Sequence, residues 1–253
     1  PHLLLWLYEI EKFGMFLQRK ELSGEISFKK IRSNPNIDHF VDCRDFNLTL
    51  QYDYMEESFP VFKVPLHLLR GGNFSGSIWL SQLRWQIFTL ETGLRHQATQ
   101  WLDRRTWDLY AGQEDDRSVK RLWVNTDKSG DAFEIPVLKR VFDLLQRQRE
   151  QEDRSGNPYI SVAYENRENS RFPDVQHLFR SRNGTYIRDA DYHRYWRQLL
   201  YAFQGYMCRA ALDLPAIVRL TKPGNDGSKS KLDSRSKSPI CVVPLKFEHT
   251  PHT

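Results

Sequence analysis

The sequence lacks the patterns that most often identify a nucleotide-dependent enzyme or a metal protein. Its three cysteines, Cys43, Cys208 and Cys241, form no CxxC or Cys/His pattern, which argues against a disulfide framework and a zinc knuckle. The GxxxxGK[ST], HExxH and GxSxG patterns are also absent, so nothing supports ATP binding, zinc peptidase or serine hydrolase chemistry. We therefore expect a protein of a reducing compartment that works without a cofactor or a metal ion.

The sequence also lacks an uninterrupted hydrophobic run long enough to cross a membrane. Its most apolar segment, near the start, contains Glu9, Glu11 and Lys12 and has no signal-peptide pattern. Apolar residues from Leu3 to Leu17 approximate a helical stripe and predict a packing helix instead. We expect no membrane association and a cytoplasmic location.

What the sequence does contain is typical of a folded, slightly basic protein. The 253 residues are 40% hydrophobic and 27% charged, which is ordinary globular usage. The formal net charge of +5 favours a polyanionic partner only weakly, because many proteins with this charge bind none.

Hydrophobic periodicity predicts mostly helices with one small antiparallel β-hairpin, an α+β fold class. A helical pattern from Ile78 to Leu90 is broken at Thr92-Gly93, and a second helix is predicted from about Leu94. Two β-prone runs flank a turn at residues 127–131, and a Pro-led helical run with Val137 follows them. A Leu-Phe pair, an Asn-Gly turn and a long aromatic-rich helix come next, followed by a basic Gly/Ser-rich loop at residues 221–239 that we expect to be mobile.

This order of motifs resembles the catalytic domain of the tyrosine recombinases, the phage-integrase family. The resemblance extends from about Ser77 to Thr253 and includes "TGLR" at Thr92–Arg95 and the closing "TPHT". It implies residues 73–253 as an integrase-like catalytic domain, incomplete at its C-terminal end. Residues 1–72 are left as an N-terminal region of uncertain fold, which includes a possible end of a core-binding domain and a linker.

By this resemblance Arg95 is the first catalytic arginine of the family. A planar guanidinium can donate parallel hydrogen bonds to two non-bridging oxygens of a phosphodiester under attack. The alternative is that Arg95 is an ordinary solvated arginine at a helix junction, because a Gly-Leu-Arg tripeptide is common.

The resemblance assigns two further catalytic residues. Lys128 matches the hairpin lysine that protonates the departing deoxyribose oxygen, with Lys120 as an alternative. His252 matches the histidine of a Pro-His-x-x-Arg box. The second arginine and the tyrosine nucleophile of the family follow this box, so we expect both beyond Thr253. Five tyrosines precede the box and are predicted to pack in a core: Tyr186, Tyr192, Tyr195, Tyr201 and Tyr206.

One position departs from the family pattern. Ala98 stands where an acidic residue normally orients the first arginine, which leaves Gln97, Gln100 or Asp103 as alternative supports. The departure motivates an alternative function, a non-catalytic DNA-binding or assembly protein of a mobile element that keeps a degenerate recombinase fold.

The resemblance thus implies a fragment of a site-specific DNA recombinase, or integrase, that cleaves and rejoins strands through a 3′-phosphotyrosyl intermediate. The full-length protein would be the enzyme. The implied partners are double-stranded DNA and three further copies in a homo-tetramer, in a bacterial, nucleoid-associated setting. Basic residues predicted to contact DNA phosphates are Arg104, Arg105, Lys120, Arg121, Arg180, Arg182 and Arg188.

Overall fold

The computed structural model describes residues 2–28, 41–42, 63–64, 66–73, 75–111, 118–126, 130–166, 169–209, 218–221 and 241–244. The chain divides into two compact units. Unit 1 comprises Pro1–Ile26 and Ile78–Tyr192, and unit 2 comprises Ser27–Ser77 and His193–Thr253. Each unit is taken by itself below.

Helices and short antiparallel strand pairs alternate along the chain. The helices are α1 (His2–Leu22), α2 (Ser81–Thr92), α3 (His96–Gln100), α4 (Lys139–Arg154) and α5 (Asp189–Arg209), with 3₁₀ turns at Leu68–Arg70 and Tyr164–Asn166. The strands are β1 (Val41–Asp42), β2 (Lys63–Val64), β3 (Val119–Val124), β4 (Phe133–Leu138), β5 (Val218–Thr221) and β6 (Cys241–Pro244). They pair as β1–β2, β3–β4 and β5–β6, all antiparallel.

The core of unit 1 forms where α2 packs against α1 and α4. Residues 81–88 of α2 are all buried, so this helix contacts neighbours on every side. An ion pair crosses the core: Arg84 Nε donates to Glu11 Oε1 at 2.8 Å, and both side chains are 1% exposed. Arg147 of α4 donates to the second oxygen of Glu11, so a buried carboxylate joins the three helices.

The β3–β4 hairpin lies between α3 and α4 in the sequence and leads directly into α4. Its register pairs Val119 with Leu138 and Val124 with Phe133. Leu122 and Val124 are fully buried, whereas Val119 and Leu138 are more than 40% exposed. The hairpin therefore packs one face on the core, which is the alternation expected of a two-sided antiparallel ribbon.

The described part of unit 2 contains a second, smaller core. Leu66, Leu68 and Leu69 are buried. Tyr195 of α5 donates its hydroxyl to the Leu68 carbonyl at 3.0 Å, and Arg70 donates to the Phe28 carbonyl at 2.6 Å. Both donors are side chains that satisfy backbone acceptors inside this unit.

The coarse prediction of helices with a small antiparallel hairpin is confirmed, and one detail of it is wrong. Helix α3, predicted from about Leu94, begins at His96 and contains five residues, after which Trp101 and Leu102 are buried. Val137, predicted as part of the following helix, is the partner of Lys120 in β4, and the helix begins at Lys139. The predicted mobile loop at 221–239 lies outside the described residues except for Thr221.

Candidate nucleic-acid interface

The turn between α2 and α3 is built from the Thr-Gly-Leu-Arg motif. Gly93 ends α2 with a left-handed φ of 65°, and its N–H donates to the Thr89 carbonyl at 3.0 Å. This backbone conformation is the usual helix C-terminal position for glycine. Arg95 follows with extended angles of φ −59° and ψ 138° and immediately precedes α3. The chain direction therefore changes at Gly93, two residues before the arginine.

Arg95 is exposed, and its side chain has no ion pair or hydrogen bond with any residue that the structure describes. The last three residues of the short helix are buried. Ala98 is 7% exposed and Thr99 is buried completely. Trp85 Nε1 donates to Thr99 Oγ1 at 2.6 Å, and Gln100 Nε2 donates to the Ile187 carbonyl at 2.8 Å. The Arg95 guanidinium is therefore exposed beside a packed helix, with no partner among the described residues.

The acidic support expected for the arginine is not supplied by the three alternatives. Gln97 donates to Glu165, Gln100 is bound to Ile187, and Asp103 pairs with Arg105 at 2.6 Å. Glu165 adopts a left-handed φ of 54°, which is uncommon for a residue with a side chain. Ala98 faces the core, so a carboxylate at this position would be buried.

The two other residues assigned as catalytic lie outside the described residues. These are Lys128, predicted for the hairpin turn, and His252. The alternative lysine, Lys120, lies inside β3 opposite Val137 and is 8% exposed. Lys120 is therefore a buried strand residue, whereas the resemblance implies a lysine in the hairpin turn.

Five of the seven basic residues predicted to bind DNA are already paired with carboxylates. The pairs are Arg104–Asp153, Arg105–Asp103, Arg121–Glu134, Arg180–Glu152 and Arg188–Asp191, with separations from 2.6 to 3.6 Å. Arg180 is 3% exposed, so burial opposes its predicted contact with DNA. Arg182 is exposed in the turn after it. DNA binding by the whole set stays a prediction.

Two of these arginines lie against the ring of Tyr159, a residue that the sequence analysis did not single out. The guanidinium of Arg104 lies 3.6 Å from the centroid of Tyr159, and that of Arg180 lies 4.0 Å from it. The Tyr159 hydroxyl donates to Asp153 at 2.6 Å. Burial and this hydrogen bond raise the pKa of Tyr159 to about 12. Tyr159 follows Asn157-Pro158 and its pattern is that of a loop, so only the fold brings these charges together.

The sequence analysis also did not single out a buried histidine, because its contacts are with residues distant in the sequence. His177 Nδ1 lies 2.8 Å from the Gln100 carbonyl, and its ring lies between Trp101 and Tyr186. Burial lowers the pKa of His177, which favours the neutral ring. Its neighbour Tyr186 is 40% exposed, so the predicted core position of this tyrosine is wrong, whereas Tyr192 and Tyr195 are buried as predicted.

Within the described residues, no three His, Cys, Asp or Glu side chains are arranged to hold a metal ion. None of the helices in the described part of the chain is long and apolar enough to cross a membrane. Searches of protein-family models, curated proteins and solved structures found no match to the chain.

Proposed function

We propose that this chain belongs to a site-specific DNA recombinase of the tyrosine type and that Arg95 contacts the phosphate at which a DNA strand is cut. The observation that carries the proposal is the exposed Arg95 guanidinium, which has no partner among the described residues and lies between two helix ends. The order α2, "TGLR", α3, hairpin and α4 also agrees with the motif order of that family.

In the proposed reaction a tyrosine oxygen attacks phosphorus and the bond from phosphorus to the 5′ oxygen breaks. Arg95 donates two hydrogen bonds to the non-bridging oxygens as negative charge develops on them. Lys128 gives its proton to the departing 5′ oxygen, and His252 assists transfer of the tyrosine proton. The phosphotyrosyl bond conserves the energy of the broken linkage, so no nucleotide is consumed. We assign the nucleophile to none of the tyrosines discussed above.

A second function is favoured by the surroundings of Ala98. Ala98 is buried, and Gln97, Gln100 and Asp103 have other partners, so none of these four described residues gives Arg95 the acidic support of an efficient recombinase. A chain that binds DNA for assembly has no need of that support. The second proposal is therefore a non-catalytic DNA-binding protein that retains Arg95 as a phosphate contact.

A covalent-adduct assay separates the two functions. Duplexes selected for binding from a random pool would be nicked to trap cleaved strands. The full-length protein, which in this proposal carries the tyrosine nucleophile, would be used, and its covalent adduct with DNA would be measured on denaturing gels. The recombinase proposal expects an adduct that Arg95→Ala abolishes and that Arg19→Ala leaves intact; Arg19 is a solvent-exposed arginine of α1. A substrate with a bridging 5′-phosphorothiolate should restore adduct formation by the Lys128→Ala variant, because a thiolate leaves without a proton.

Three outcomes are informative. DNA binding that depends on Arg95 without any adduct would support the non-catalytic protein. An adduct that persists in Arg95→Ala would remove Arg95 from the chemistry. No binding of any duplex would contradict both proposals.

A further inference from the structure

The surroundings of His96 point to a function for the residue next to Arg95. The His96 ring stacks on Tyr192 with a centroid separation of 5.5 Å and an interplanar angle of 26°. Tyr192 in turn packs against Trp85 at 4.4 Å. Trp85 donates to Thr99, and the Thr99 hydroxyl donates to the His96 carbonyl at 2.8 Å. These four residues thus form a closed network of contacts around the start of α3.

This network of contacts is important because α3 is too short to be stable on its own. Five residues form a single turn or little more, and isolated helices of this length are not stable in water. Its position is therefore set by contacts to the surrounding elements, among them α2, the first turn of α5 and residues Glu165 and Ile187. At the N-terminal end of α3 these contacts are made by His96, the residue that directly follows Arg95.

We infer that His96 is a positioning residue for Arg95, acting through its stack on Tyr192 to hold the arginine toward a DNA phosphate. His96 Nε2 also lies 3.7 Å from Asp189 Oδ1. Both side chains of that pair are more than a third exposed, so the pair contributes little compared with the stack. When the backbone at Arg95 is already held in place, less conformational entropy is lost as the long arginine side chain binds a phosphate. This inference rests on the proposed DNA contact of Arg95.

A double-mutant cycle on DNA affinity tests the inference. Fluorescence anisotropy with a labelled duplex pool of random sequence would be measured for His96→Ala, Arg95→Ala and the combined variant. We expect Arg95→Ala to weaken binding about tenfold, as for a lost charged hydrogen bond. His96→Ala should weaken it about threefold or more when Arg95 is present and by no more than about twofold when Arg95 is absent.

The conservative variant distinguishes positioning from general folding. His96→Phe keeps a planar ring against Tyr192 and should bind within about twofold of the unmodified protein. Thermal unfolding would be recorded for every variant, and His96→Leu would replace His96→Ala in the cycle if the alanine variant does not fold. Arg19→Ala controls for the loss of one exposed positive charge.

The failures can be told apart. A strong effect of Arg95→Ala combined with no effect of His96→Ala overturns the positioning function and leaves the DNA contact. Equal weakening by His96→Ala in both backgrounds, or failure of His96→Phe to bind, also overturns it. No effect of Arg95→Ala at all overturns the DNA contact itself, and the inference with it.

Discussion

At the scale of single residues, the most unusual group in the core of unit 1 is Glu152. Its carboxylate accepts hydrogen bonds from Ser81 Oγ at 2.8 Å and from Gln148 Nε2 at 2.8 Å. Arg180 Nε donates to its other oxygen at 3.1 Å, and Glu152 is 1% exposed. Burial raises the pKa of Glu152 to about 7, although the hydrogen bonds from Ser81 and Arg180 oppose the shift.

The raised pKa predicts that stability depends on pH. The folded protein keeps a proton on Glu152 up to about pH 7, whereas the unfolded chain releases it near its ordinary value of 4.5. The free energy of unfolding should therefore fall as pH rises between these values and stay level above them, with a total contribution of about 3 kcal/mol at most. Urea unfolding at several pH values would measure the slope.

Substitution of the carboxylate isolates its share of that slope. In Glu152→Gln the group no longer titrates, so the free energy of unfolding of the unmodified protein minus that of the variant should decrease as pH rises from 4.5 to 7. Glu150→Gln, a change at an exposed position of the same helix, serves as the control. A constant difference across this range for Glu152→Gln would show that Glu152 does not carry the shift.

At the scale of elements, the connection from α2 to α3 depends on Gly93. A Cβ atom added there would meet nothing within 4 Å, so a side chain costs only the left-handed backbone. Gly93→Ala should lower the free energy of unfolding by about 1 to 2 kcal/mol. Gly93→Asn should cost less, because asparagine tolerates this conformation better than other residues do. Chemical denaturation of the two variants gives the comparison.

The order of the two variants is the informative result. If Gly93→Asn were as destabilising as Gly93→Ala, or more so, the left-handed conformation would not be the reason for glycine at this position. DNA affinity measured alongside would show whether a strained turn displaces Arg95, since Leu94 alone separates the two residues.

Local sequence signals predicted the elements whose ends are set by local chemistry. Thr92-Gly93 ends α2 as expected, because glycine takes the left-handed position, and the β-prone runs around 127–131 pair in the predicted hairpin. The start of α3 was predicted from the sequence, but its end at Gln100 was not, because Trp101 continues the helical periodicity and yet is buried outside the helix. The burial of Arg180 was missed for a related reason, since its partner Glu152 lies 28 residues away and no local pattern marks the pair.

At the scale of the whole molecule, net charge is a poor guide to DNA binding. The excess of 37 basic over 32 acidic residues gives +5, yet five of the seven arginines and lysines predicted to bind DNA are engaged by carboxylates. An arginine that is paired on the surface must give up or share its partner before it can bind a phosphate. Among the described residues predicted to contact DNA, Arg95 is exposed and has no described partner, so we expect this cation to release a counterion from DNA.

This argument predicts how DNA affinity responds to salt. Each phosphate contact contributes about 0.9 to the slope of log affinity against log salt concentration, so Arg95→Ala should lower the slope by about that amount. The double variant Lys139→Ala/Asp143→Ala removes both charges of a surface pair at constant net charge, and its slope should not change. Arg19→Ala removes one exposed charge from α1 and should also leave the slope unchanged, because we place no phosphate there. Equal decreases for Arg19→Ala and Arg95→Ala would mean that overall charge governs binding, and the specific contact of Arg95 would have to be abandoned.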